Sequence, residues 1–246
     1  MESTYLNQDE TLDTIFQGIK VIQKKRGYRF SLDAILLAHF TNVKKGDHVV
    51  DLGTGSGIIP LILAKRSEAD KILGVDIQDR LVEMAARNVE LNYFTDKIDI
   101  VKGDIRNLKD DLEPESFDLV LSNPPYRKIR SGRVNPHPEK AIARHEIKSS
   151  LQEVLETARI LVKFRGRVTI IYPASRLVDL FFHMRSKKLE PKMLRIVYND
   201  MQSKGNLAIV EAMKGGSEGI LILEPIFVYD LNGDYSDEMK KILTMP

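Results

Sequence analysis

The sequence predicts an α/β fold in which a mostly parallel β-sheet carries helices on both faces. Three observations predict it. Short runs rich in Val, Ile and Leu alternate with longer stretches of helical spacing. A glycine-rich turn joins the first run to an apolar helical segment. Acidic residues then recur at the ends of successive runs, where open α/β sheets bind ligands.

Residues 1–40 precede the sheet and are expected to cap it, leaving 41–246 as the α/β core of a single domain. Ser31 is suited to N-cap a helix running through Phe40, with Asp33 in the first turn where negative charge is favourable. The expected strands are His48–Leu52, Lys71–Asp76, Ile98–Val101, Phe117–Ser122 and Arg167–Tyr172. They are short and nearly continuous in branched residues, as strands buried on both faces should be. Helices are expected over Ile58–Lys65, Gln78–Leu91 and Ser149–Val162. In the second, Leu81, Met84, Ala85 and Val89 form one stripe while Glu83, Arg87 and Glu90 face outward. Alternation of this kind implies right-handed crossovers in a parallel sheet.

Beyond Tyr172 the pattern changes. A helix over Ser175–Lys188 leads to Met193–Tyr198, Leu207–Met213 and Ile220–Leu223, which reads as an antiparallel edge. Tyr126–His145 has Gly132, Pro136 and Pro138 among basic residues and no periodicity, so it is expected to be a long functional loop.

Composition narrows the function classes. The chain has 246 residues, 43% hydrophobic and 29% charged, which suits a globular domain with a sizeable core. It contains no cysteine, which excludes disulfides, thiolate metal sites and a cysteine nucleophile, and fits a reducing cytoplasm. No apolar run approaches the roughly 18 residues needed to span a bilayer. The segment MESTYLNQDETLDT is acidic and polar, unlike a signal peptide. The five histidines lack metal-ligand spacing, so no metal site is expected. Basic residues cluster in Ile19–Arg29, Arg127–Arg144 and Arg185–Arg195. Such clusters either neutralise phosphates or form solvated faces.

The first strand runs directly into Asp51-Leu52-Gly53-Thr54-Gly55-Ser56-Gly57. Glycines let the chain turn sharply and let a ligand approach the backbone. The spacing differs from a dinucleotide fingerprint, since Ile58 stands where the third glycine would be. Asp51 would repel a pyrophosphate, yet it suits an ammonium group or a water network. No P-loop motif occurs. Asp76 ends the second strand, placed to hold ribose hydroxyls. Gly103-Asp104-Ile105 follows the third, where Asp104 suits an adenine amino group between Ile77 and Ile105. Together these residues resemble the S-adenosylmethionine-binding motifs of class I methyltransferases. The resemblance implies a Rossmann-like, seven-stranded, mostly parallel sheet with an antiparallel final strand. It also implies a cofactor set of Asp51, Gly53, Thr54, Gly55, Gly57, Asp76, Ile77, Gly103, Asp104, Ile105 and Asn123.

The fourth strand ends in Asn123-Pro124-Pro125-Tyr126. Two prolines stiffen an extended backbone and remove two N–H donors. The Asn123 side-chain oxygen and the Pro124 carbonyl suit the two N–H bonds of a planar amino group, with the Tyr126 ring stacked on its face. The tetrapeptide resembles the N-P-P-Y motif of methyltransferases that modify adenine N6 in DNA or RNA, or the glutamine side chain of release factors. A separate DNA-recognition domain would need more chain. The glutamine enzymes carry a larger N-terminal domain and a glycine-rich segment after the motif, where this chain has Arg127-Lys128-Ile129-Arg130.

A fuller resemblance is to the small bacterial tRNA adenine-N6 methyltransferases that act beside the valine anticodon. It rests on Asn123–Tyr126, on Arg26-Gly27-Tyr28-Arg29-Phe30-Ser31-Leu32-Asp33-Ala34, on Ala143-Arg144-His145-Glu146 and on Tyr229–Tyr235. This resemblance adds Phe30 and Asp33 to the cofactor set, gives Arg127, Lys128 and Arg130 an RNA-binding role, and implies a cytoplasmic enzyme. His145 and Glu146 are read as the start of the helix after the loop. A protein glutamine methyltransferase and a non-catalytic RNA-binding protein are the alternatives, and the oligomeric state is left open.

Overall fold

The computed structural model describes residues 6–15, 18–25, 31–124 and 151–244. Its first element is a hairpin of β1 (Glu10–Ile15) and β2 (Ile19–Lys24), paired antiparallel from Glu10 opposite Lys24 to Ile15 opposite Ile19. The sequence reading expected only a cap here. Helix α1 (Leu32–Phe40) follows, burying Ala34, Ile35, Leu36, Leu37 and Ala38. Ser31 occupies the N-cap position, but its hydroxyl makes no capping bond; its backbone carbonyl accepts from the Ala34 N–H at 3.1 Å.

The central sheet has seven long strands: β3 (His48–Leu52), β4 (Lys71–Asp76), β5 (Ile98–Lys102), β6 (Phe117–Ser122), β7 (Val162–Pro173), β8 (Leu189–Tyr198) and β9 (Gly205–Lys214). Their order across the sheet is β5-β4-β3-β6-β7-β9-β8. Neighbours from β5 to β7 run parallel, and β9 is antiparallel to both β7 and β8. Two short strands, β10 (Leu221–Ile222) and β11 (Ile226–Phe227), pair parallel to β8 and bring the sheet to nine. The seven strands implied by the resemblance thus describe the main body of the sheet; β10 falls within the expected run Ile220–Leu223 but lies parallel to β8 where an antiparallel edge was expected, and β11 was not expected.

The helices are α2 (Ile58–Arg66), α3 (Asp79–Leu91), the short α4 (Leu108–Asp111), α5 (Leu151–Leu161), α6 (Leu177–Ser186) and α7 (Asp237–Thr244), with a 3₁₀ turn at Ala174–Arg176 before α6. Strand residues alternate between two apolar layers, as the two-residue period of a strand requires. Val49, Leu119 and Leu121 join Leu37, Leu61 and Ile62 on one face, while Val50, Val120 and Ile170 join Leu155, Leu161 and Leu180 on the other. Each such Leu or Ile contributes about 1.5–3 kcal/mol by leaving water. The two layers clamp the sheet and leave the carboxyl ends of β3, β4, β5 and β6 side by side along one edge.

Candidate active site

Backbone hydrogen bonds lace that edge together. The Val75 carbonyl accepts from the N–H groups of Gly53 and Thr54, both at 2.9 Å, and the Asp76 carbonyl accepts from Gly103 N–H at 3.0 Å. The glycine turn from β3, the end of β4 and the turn after β5 are therefore joined in sequence across the sheet. Gly53, Gly55 and Gly57 have φ of +83°, +59° and +80°, the left-handed region where a side chain is costly. A Cβ at Gly53 would meet nothing within 4 Å, so the turn leaves room there for a ligand.

The three carboxylates sit in different electrostatic settings. Asp51 is fully buried, and burial pushes its carboxyl up to about 7, with the charge of Asp76 adding to the effect. Thr54 lies beside it, but neither Asp51 oxygen makes a hydrogen bond of normal geometry to any described residue. The hydroxyls of Thr54 and Ser56 are likewise buried without a partner there. Asp76 accepts from Gly55 N–H and from Gln78 N–H, each at 2.9 Å, and burial raises its pKa above the ordinary value. Asp104 is different again. Both its oxygens are held by the Arg106 guanidinium, which lowers its pKa. Ile77 is exposed at this edge and Ile105 is partly buried.

Asn123 and Pro124 emerge from β6, next to β3. Leu52 and Ser122 are directly paired in register, so Gly53 and Asn123 leave the sheet as neighbours, about 5 Å apart by strand spacing. Pro124 is buried and Asn123 half-buried. Asp33 is half-buried near the start of α1. Phe30, Pro125, Tyr126, Arg127, Lys128, Arg130, His145 and Glu146 lie outside the described residues, as do Arg26 and Arg29.

Three contributors escaped the sequence reading. Gly74 faces Asp51 across β3 and β4; a Cβ there would stand 2.9 Å from the Thr54 hydroxyl and 2.7 Å from Ile100 Cδ1. A glycine inside an apolar strand is the available signal for such close approach. Ser122 ends β6 and donates to the Leu52 carbonyl at 2.8 Å. Asn88 is an amide within the apolar stripe of α3, and it donates to the Ser56 carbonyl at 2.9 Å.

Four of the five basic residues in the third cluster already have partners in the protein. Arg185 pairs with Glu190 and Glu218, Lys187 with Glu156, and Arg195 with Glu238, while Lys192 donates to the carbonyls of Ser217 and Gly219. Nor is Lys24 available to a phosphate without competition, since it pairs with Asp9. Among the described residues no cluster of three His, Asp or Glu is placed to hold a metal, and no helix is long and apolar enough to cross a membrane.

A Rossmann-like sheet with a glycine turn, buried carboxylates and an Asn-Pro strand end along one edge is the arrangement in which open α/β sheets bind nucleoside-containing ligands. A family profile described as "Methyltransferase domain" matches residues 43–230. The chain belongs to this methyltransferase family, whose class takes its methyl group from S-adenosylmethionine. Among its relatives, the tRNA1(Val) (adenine(37)-N6)-methyltransferase of Porphyromonas gingivalis is 31% identical over 180 residues, covering 71% of this chain and 70% of that one. The enzyme of the same description from Aeromonas salmonicida is 26% identical over 223 residues, covering 90% and 91%. In fold the chain resembles a predicted O-methyltransferase from Agrobacterium tumefaciens, with a TM-score of 0.69, 18% identity, and coverage of 85% and 94%.

Proposed function

We propose that this chain transfers a methyl group from S-adenosylmethionine to the exocyclic N6 of an adenine in tRNA, beside the valine anticodon, in the cytoplasm. The relatives named above support the substrate. One observation carries the chemistry: the Leu52–Ser122 register sets the glycine turn and the Asn123-Pro124 strand end next to each other.

The residues present fit the cofactor. Asp51 offers a buried carboxylate without a normal hydrogen bond, which suits an ammonium group, and the left-handed turn leaves an open cradle at Gly53. In this reading Gly53, Thr54, Gly55 and Gly57 pass the methionine moiety. Asp76 holds the ribose, and Asp104 the adenine between Ile77 and Ile105, with Gly103 letting the turn pack closely on Leu108 and Val75. Arg106 already occupies Asp104, so the adenine amino group must share that carboxylate or displace the guanidinium. Phe30 and Asp33 complete the cofactor set in this reading. The cofactor, when bound, supplies a methyl group on a sulfonium.

Asn123 and the Pro124 carbonyl accept the two N–H bonds of the target amino group. That draws its lone pair out of ring conjugation and points it at the methyl. Alignment then supplies much of the rate, and no strong base is needed. Pro125 stiffens the strand end, and the Tyr126 ring stacks on the target base. Arg127, Lys128 and Arg130 hold RNA phosphates. The chain acts as one catalytic domain, 41–246, with residues 1–40 as its cap.

The test is incubation with labelled S-adenosylmethionine and total RNA, DNA or protein, followed by nucleoside analysis. The expected product is N6-methyladenosine in tRNA. The reading is overturned if the methyl lies on a ring nitrogen or ribose oxygen, or if only protein is labelled.

A further inference from the structure

The β1–β2 hairpin joins the molecule through α3, by a device that imitates strand pairing. Ile22 N–H donates to Asn88 Oδ1 at 2.7 Å, and the Ile22 carbonyl accepts from Asn88 Nδ2 at 3.3 Å. One helical turn later, Lys20 N–H donates to Asn92 Oδ1 at 2.9 Å, and the Lys20 carbonyl accepts from Asn92 Nδ2 at 2.7 Å. The two rungs match because four residues of helix advance about 6 Å and two residues of strand about 6.6 Å. Arg87 adds a two-bond ion pair to the buried Glu10 of β1, at 2.8 and 2.9 Å, which holds that carboxyl down to about 2.

The two asparagines differ in their remaining bond. Asn92 spends it within its own helix, on the Asn88 carbonyl at 2.7 Å. Asn88 reaches the glycine turn instead, donating to Ser56 O at 2.9 Å, and it is fully buried. The same helix abuts the turn at a second point, since a Cβ on Gly57 would stand 3.2 Å from Ala85 Cβ. One buried amide therefore touches both the hairpin backbone and the backbone between Gly55 and Gly57.

We infer that Asn88 is a positioning residue that couples the N-terminal hairpin to the cofactor turn, so that hairpin docking tightens S-adenosylmethionine binding and cofactor binding tightens the hairpin. The inference rests on the cofactor site proposed above. With Ser56 O anchored, the left-handed turn keeps Gly55 N–H on Asp76 before any ligand arrives. Without the anchor that carbonyl is a buried, unpaired acceptor, and the turn must be ordered at the moment of binding. Reciprocity follows from linkage: if the docked hairpin favours the cofactor, the cofactor favours the docked hairpin by the same factor.

The test uses the full chain, with S-adenosylhomocysteine as ligand, titration calorimetry, and amide hydrogen exchange over residues 19–24. Asn88→Leu, which removes a hairpin rung and the Ser56 anchor together, should weaken binding about tenfold, whereas Asn92→Leu, which removes only the second rung and leaves the hairpin docked through Asn88 and Arg87, should stay within about twofold. In the unmodified protein the ligand should slow exchange at the Ile22 amide by about tenfold. Equal losses in the two variants, or exchange at β2 indifferent to ligand, overturns the coupling. If Asn88→Leu does not fold, the exchange measurement on the unmodified protein decides alone. Failure of that protein to bind S-adenosylhomocysteine at all overturns the cofactor reading itself, and the coupling with it. Binding without any exchange response overturns the coupling only.

Discussion

Ser122 and Leu52 face each other on neighbouring parallel strands, and the buried Ser122 hydroxyl donates to the Leu52 carbonyl at 2.8 Å. This bond ties the last residue of β6 to the residue before the glycine turn. Ser122→Ala should cost about 1 kcal/mol of stability. It should also lower kcat more than it changes cofactor affinity, because the strand end that carries Asn123 loses its tether. Thermal unfolding and single-turnover rates check the two halves separately; an unchanged rate would reduce the bond to a structural one.

Asn123 itself should be indispensable to transfer and dispensable to folding. Asn123→Ala is expected to lose most activity while retaining cofactor binding, with the loss mainly in kcat, because the contact strengthens as charge develops on the nitrogen. Circular dichroism, cofactor calorimetry and turnover on tRNA read these three properties. A variant with near-normal kcat would remove Asn123 from the reaction.

Asp51 makes stability depend on pH in an unusual direction. Its folded-state pKa of about 7 lies above the ordinary 3.8, so the folded protein holds this proton more tightly than the unfolded chain does. The stability associated with it is therefore greatest at low pH. It falls as pH rises from about 4 to about 7, then levels off. Asp51→Asn removes the titration. Between about pH 5 and pH 8 the Tm of the variant should gain on that of the unmodified protein by roughly 5–10 °C, equivalent to about 2–3 kcal/mol. A Tm difference that stays constant across that range would show Asp51 ionised throughout.

The segment after the Asn-Pro strand end should act on the polyanion and leave the cofactor alone. Replacing Arg127, Lys128 and Arg130 together by Ala should weaken tRNA binding and flatten its salt dependence, since fewer counterions are released. Affinity for S-adenosylhomocysteine should barely move. An unchanged salt slope in a binding titration would assign these residues to a solvated surface.

The sheet was legible because its strands are buried on both faces and their residues say so. His48–Leu52, Lys71–Asp76 and Phe117–Ser122 end where the apolar runs end. The first half of β7 was not legible, because Lys163, Arg165 and Gly166 interrupt the run, with Arg165 at φ +64°. The hairpin was missed for a different reason. Glu10–Ile15 and Ile19–Lys24 have weak local patterns, and their docking depends on Asn88 and Asn92, 66 and 72 residues away from their partners. In the site, the positions of Asp51, Asp76 and Asp104 at strand ends were legible. Their differing surroundings were not: the burial of Asp51 and the approach of Thr54 over Gly74 are tertiary facts, and the closure of Arg106 on Asp104, though only two residues apart, depends on how the turn after β5 folds.

The clasp on the hairpin has a consequence for how the molecule is made. Chains are synthesised from the N-terminus, so β2 leaves the ribosome well before the two asparagines that hold it exist. Those side chains acquire their spacing only when α3 has formed and packed on the sheet. The hairpin is thus translated well before the helix that secures it. The turn around Ser56 waits for the same Asn88, and a ribosome-bound fragment ending before residue 88 should hold β1 and β2 without this clasp.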